Sequence, residues 1–313
     1  MPASFSEIER LIERYDTATT TLDQAVTDRI AASLDASFRS LIAELQRQYP
    51  TWESQGSLFA SQRRLLLVTE LGDLLSVVKP ADAPAYEALL SEALQLSDRT
   101  GATLADQLVT TIDPGYPLQE FTAIPIEAVA AQARDGVGRL YRYSDEFKTT
   151  ASSIVEQGLL QGWGTRRVQG LLEQELGVTK SKAETLARTE IMSALSTATQ
   201  ERYEKNGIEW AIWAVTPSES LCGWCAERNG QAYEVGTVSI PAHPNCRCMW
   251  IPVKRRWLEQ GLIDGAEYGE FRDRTLAELD AQGTRRQTGP TYWEKKAGLT
   301  EAPTPVWRPG GGG

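Results

Sequence analysis

Residues 222–248 read CGWCAERNGQAYEVGTVSIPAHPNCRC, and they hold all four cysteines of the chain together with its only histidine. Cys222 and Cys225 have the Cys-x-x-Cys spacing that lets one tight turn aim two thiolates at a single ion, at sulfur–metal distances of about 2.3 Å. His243-Pro-Asn-Cys246 repeats the same gap. Cys248 follows two residues later, which in a strand puts it on the same side as Cys246. A tetrahedral zinc ion takes four ligands and five candidates are present. Cys222, Cys225 and Cys246 fill three places, and His243 and Cys248 compete for the fourth.

Two disulfides would also use four cysteines, but MPASFSEIERLIERYD (1–16) has neither a basic start nor an apolar core and does not read as a secretion signal. A redox Cys-x-x-Cys of the thioredoxin kind needs a βαβ setting that this sequence lacks. A catalytic zinc keeps an open position and a nearby acid or base, and three or more thiolates make the ion a poor Lewis acid. With a single histidine, a ligand cannot also serve as general base. No catalytic residue is therefore assigned, and Zn2+ is expected as a structural staple for a small sheet. The competing reading is an enzyme, a zinc-dependent nuclease or a toxin-like effector, because Cys/His knots occur in those as well.

Outward from the cluster, IEWAIWAV (208–215), QAYEVGTVSI (231–240) and CRCMWIPV (246–253) are rich in β-branched and aromatic residues and predict three short strands. Upstream, the chain reads as helices. Phe5, Ile8, Leu11, Ile12 and Tyr15 share one face, as do Leu22, Val26, Ile30, Leu34, Phe38, Leu41, Ile42 and Leu45. YPTWESQGS (49–57) predicts a break, 61–79 another helix, and 83–101 a helix ending at Gly101. After DPGYPLQEFTAIP (113–125), helical patterning leads to Gly162 and Gly164. A short helix is then expected to stop at Gly177, followed by a longer one capped by Thr179 or Ser181 and stopped by Gly207. The pair around Gly177 also admits a helix-turn-helix reading. The fold class is α+β: a mostly α-helical N-terminal two-thirds, a small zinc-stapled sheet and an extended C-terminal arm. The expected domains are a helical one at 1–115, a second at 125–253 that ends in the Cys/His knob, and short helices with the arm at 254–313. Trp293 and Trp307 on that arm either dock on a partner or hang free.

The chain of 313 residues has a net charge of −10, made of about −12 on residues 1–246 and +2 on the rest. Such a body repels phosphate backbones and anionic membrane surfaces. Small basic clusters remain in the C-terminal segment at 254–257, 285–286 and 295–296, so packaged DNA is a possible partner of that segment alone. No apolar run approaches the ~20 residues of a membrane span.

The ordered set of ARTE (187–190) in a helix, the strand NGIEWAIWAV, Cys222-x-x-Cys225 with Gly230 downstream, and HPNCRC (243–248) resembles the phage Mu F-like head morphogenesis family of minor capsid proteins. The likeness extends over about 125–253 and is best at 186–253. It implies a non-enzymatic virion protein of low copy number, made in the host cytoplasm and placed inside the head near the portal vertex. The partners it implies are the portal protein, the major capsid protein or both. Arg188 and Glu190 are two residues apart, so they point to different helix faces. A structural polar contact is expected of each, with Arg188 reaching a carbonyl or carboxylate of the metal knob.

Overall fold

The computed structural model describes residues 5–54, 69–70, 73, 83–120, 126–216, 221–238, 240–284, 286–296 and 298–309. Four long helices come first: α1 (Phe5–Ser54), α2 (Ala83–Ile112), α3 (Ile126–Gln161) and α4 (Thr165–Lys205). Then follow β1 (Trp210–Ala214), α5 (Gly223–Arg228), β2 (Ala232–Glu234), β3 (Met249–Val253), α6 (Arg255–Glu259), α7 (Gly265–Ala281) and α8 (Tyr292–Lys296). The α+β class is as expected, and all three strands form, each shorter than its apolar run. The helix expected at 61–79 lies outside the described residues, apart from three that are helical.

The chain divides into two compact units. One comprises residues 24–91 and 130–187. Its helices pack through Phe38 and Phe147, whose ring centroids lie 4.3 Å apart, and Tyr49 donates its hydroxyl to the Trp163 carbonyl at 2.8 Å. That anchorage bears on the break expected at 49–57. α1 runs through Pro50 to Ser54 because Tyr49 and Trp52 are both buried and the Trp52 indole donates to Glu70 at 2.7 Å. Tertiary contacts outweigh the helix-breaking tendency of one proline near the helix end.

The other unit comprises residues 1–23, 92–129 and 188–313. Its sheet has the order β2-β1-β3, antiparallel throughout, with Trp210 opposite both Glu234 and Val253. Every residue of β3 is buried, and Trp213 of β1 meets Trp250 of β3 edge-on at 5.3 Å. The sheet shares its core with Phe5, Ile8 and Ile12 of α1, with Leu104, Leu108 and Ile112 of α2, and with Tyr268 and Leu279 of α7. It is therefore not the self-standing small element that the sequence suggested, in need of a cross-link for want of a core.

Of three glycines expected to end helices, two do not and one does, for different reasons. Gly101 does not end α2. A methyl group built on it would lie 2.2 Å from the Leu195 carbonyl oxygen, so glycine is there to let the backbones of α2 and α4 approach closely. Gly177 does not end a helix either. α4 passes through it without interruption, and the Thr179 hydroxyl bonds back to the Glu175 carbonyl instead of capping anything. With no turn there, the helix-turn-helix reading falls. Gly207 does stop α4, as expected. At φ +64° it allows Gly207 N–H to reach the Glu204 carbonyl and Ile208 N–H the Tyr203 carbonyl, the two bonds of a Schellman stop.

The C-terminal segment has the helices expected of it, α6 and α7, but the arm beyond them is not wholly extended: it contains α8, and Arg228 pairs with Glu294 of α8 in two 2.8 Å hydrogen bonds. Near its end, Trp307 bridges to Ala232 on the outer edge of β2.

Candidate metal centre

All five sequence-predicted ligands converge within the sheet-bearing unit. Cys222 precedes α5 and Cys225 lies in its first turn, so one helix start presents both sulfurs, with Ala226 N–H closing the turn onto the Cys222 carbonyl at 2.9 Å. Across from them, residues 243–246 make a tight turn in which Cys246 N–H donates to the His243 carbonyl and Asn245 takes a left-handed φ of 63°. Asparagine is among the few non-glycine residues that tolerate this conformation. Cys246 and Cys248 are both buried, on the extended approach to β3 and just outside the strand itself.

The ligand atoms of Cys222, Cys225 and His243 lie within 4.8 Å of one another, and so do those of Cys225, Cys246 and Cys248. Cys225 belongs to both sets. Its sulfur is 3.8 Å from that of Cys246 and 3.3 Å from His243 Nε2. Ligands around a tetrahedral zinc are separated by roughly 3.3–3.8 Å, as follows from bonds of about 2.0–2.3 Å, so the donor set fits such an ion. A cavity of about 170 Å³ borders all five side chains. All four cysteines are free thiols, which removes the two-disulfide alternative.

Crowding shows in the proton affinities. Hydrogen bonding from Cys225 draws the Cys222 thiol down to about 4, and the Cys246 thiol falls well below its ordinary value for the same first reason. Cys225 is pushed well up by its bonds to Cys222 and Cys246, and Cys248 by burial. Burial works against a charged His243, but the neighbouring Cys222 and Cys246 sulfurs outweigh it and hold the imidazole up to about 10. Cys222 and Cys246 are thus disposed to ionise while Cys225, Cys248 and His243 keep their protons, and a divalent cation would compete with those protons for the same lone pairs. One buried donor bears on the fit: Trp213 Nε1 has no conventional hydrogen-bond partner, and its indole favours the thiolate of Cys248.

The positioning of the Cys/His turn depends on Arg188, as expected, and on Arg247 and Asp23, which the motifs did not single out. Arg188 on α4 bonds both carboxylate oxygens of Asp23 at 3.1 Å and donates to the Asn245 side chain at 3.0 Å. Arg247, between the last two cysteines, bonds Asp23 and Thr20 and lies 3.6 Å from Asp16. Arg188 thus reaches the knob, as expected, through an amide. The carboxylate that both arginines share comes from α1, 165 residues upstream of Arg188 and 224 upstream of Arg247. Asp23 is 1% exposed, so its charge depends on these two guanidinium groups. A signal was available. With Thr19, Asp23 falls on the stripe running through Ile12, Tyr15, Val26 and Ile30, where a buried acid calls for a cation. Glu190 is buried, as a structural role requires.

No helix among the described residues is long and apolar enough to cross a membrane. No curated protein and no solved structure gives a match to the chain. A family model does: residues 149–251 match the family described as Phage Mu protein F like protein, about a third of the chain. The match takes in the end of α3, all of α4, β1, α5, β2 and the complete Cys/His cluster, and runs into β3. That core is the part of the chain that is similar to the Phage Mu protein F like family, consistent with a phage head morphogenesis protein.

Proposed function

We propose that this chain is a non-enzymatic minor capsid protein of a phage, working in head assembly near the portal vertex through contacts with the portal protein, the major capsid protein or both. The observation that carries this reading is the family match, which ends within β3 and includes every candidate ligand and Arg188. Residues 125–253 are the head-morphogenesis module in this proposal, 1–115 a helical domain and 254–313 an accessory segment. The protein is made in the host cytoplasm and carried in the virion. The test is to delete the gene from the phage that encodes it and count DNA-filled heads, alongside mass spectrometry of purified wild-type heads. Loss of filled heads, with the protein present in wild-type particles at low copy, supports the role. Normal heads without the protein, or its absence from particles, refutes it.

Within the module, we propose that Cys222, Cys225, His243 and Cys246 hold a zinc ion. His243 Nδ1 lies 2.7 Å from the Pro244 carbonyl, which fixes the proton there and leaves Nε2 facing the sulfurs. Cys248 stays beside the ion as a buried thiol. Zinc would supply a rigid cross-link between α5 and the approach to β3, with no open position for chemistry. Elemental analysis of purified protein is expected to give one zinc per chain, and a folded, metal-free preparation that takes up no zinc would end the proposal.

A further inference from the structure

The C-terminal segment is seated in a groove whose floor is made of glycines. Val306 N–H donates to the Ala232 carbonyl at 2.9 Å, and Ala232 N–H donates to the Trp307 carbonyl at 3.0 Å, adding a short antiparallel strand to the free edge of β2. The Trp307 ring lies over Gly265, where an added methyl would come within 3.2 Å of it, and meets Tyr268 edge-on at 6.4 Å. One turn further along α7, Pro309 lies over Gly269, and it also borders Gly230. The spacing Gly265-x-x-x-Gly269 therefore opens a flat strip along α7 that accepts a Trp and a Pro two residues apart. The groove combines strand addition at an edge with an aromatic anchor, the two features by which sheet edges recognise extended peptides.

The way the segment is tethered identifies the occupant. Between α8 and Val306 the chain is exposed at Leu299, Thr300, Glu301 and Thr304, and it contains Pro303 and Pro305. A proline-containing leader is a semi-rigid extended spacer, and ten residues reach up to about 30 Å. Every contact of the groove with Val306, Trp307 and Pro309 is reproduced when an identical segment from another molecule takes their place, so exchange changes the connectivity and leaves the contacts unaltered. We propose that this groove is a self-association site, and that its occupant between molecules is the Val306–Pro309 segment of a second copy of this chain. The segment serves as a closed strap in dilute protein and as a link between neighbours where copies are crowded. The proposal does not depend on the metal or on the head-assembly role.

The test uses two full-length forms that differ in size by a tag. One carries photo-reactive benzoylphenylalanine in place of Val306, a side chain that is 45% exposed. After irradiation, adducts between the two forms are expected to increase with protein concentration and to map to residues 230–234 or 265–269 of the tagged copy. A synthetic peptide of residues 303–309 in excess is expected to abolish them, and a scrambled peptide to leave them. Gly265→Leu in the tagged copy, which fills the floor, is expected to abolish them as well; should that variant misfold, the peptide competition still decides. Adducts confined to single chains at every concentration, adducts mapping elsewhere, or adducts indifferent to the peptide would each overturn the proposal.

Discussion

The two flanks of the three-stranded sheet are closed by opposite means. On the β3 side, the Cys/His turn is clamped by charge: two guanidinium groups, one of them from α4, converge on a carboxylate that is almost inaccessible to water. On the β2 side, the edge is covered by two main-chain hydrogen bonds and a half-buried tryptophan on a glycine floor. Buried ion pairs are costly to break, because the partner left behind keeps its desolvation penalty. An edge strand held by two backbone bonds opens at little cost. One flank is built to be permanent and the other to be exchanged.

The contrast breaks most sharply at Asp23. Asp23→Ala takes from Arg188 and Arg247 the buried carboxylate they share, leaves Arg247 with Asp16 at 3.6 Å, and is expected to destabilise the protein by about 3–5 kcal/mol. Chemical denaturation measures this, and a loss under 1 kcal/mol would show that the clamp is not the anchor. Gly101→Ala sets a methyl 2.2 Å from a backbone oxygen, forcing α2 off α4. A loss of about 1–3 kcal/mol is expected, read as a lower thermal midpoint. Cys225→Ser removes the sulfur common to both donor triads. Zinc stoichiometry is expected to fall to near zero, while Cys248→Ser keeps most of the metal. Because the sheet has its own core, circular dichroism of Cys225→Ser is expected to retain the helices and lose little strand signal. Trp307→Ala loosens only the strap, and limited proteolysis is expected to cut after residue 297 several times faster with the thermal midpoint nearly unchanged. The smallest effect is a gain. Gly177→Ala, in an exposed helical position with open space around it, is expected to stabilise by about 0.5–1 kcal/mol.

What could be read from the sequence follows the range of the interactions. The strands at 210–214, 232–234 and 249–253 and the meeting of the five ligands were legible because strand composition and ligand spacing are local signals. Helix ends at glycines were legible only where the backbone itself requires glycine, as at Gly207. Gly101 is identical in local sequence terms, and its reason is the Leu195 carbonyl on another helix. Asp23 went unrecognised because its partners, Arg188 and Arg247, are set by tertiary packing. The strap was missed for a similar reason: Trp307 read as an aromatic that either docks on a partner or hangs free, and its seat in the chain, Gly265 with the Ala232 backbone and the Tyr268 edge, is set by tertiary packing.

The clamp also has a consequence for synthesis. Asp23 is translated well before its counter-charges, which come only 165 and 224 residues later at Arg188 and Arg247. Until the ribosome has released the second of these, the opening helix carries an incompletely compensated acid on the face it must bury. A nascent or truncated product that stops before Arg247 therefore lacks the second cation of the clamp, and only chains translated past that residue can close it.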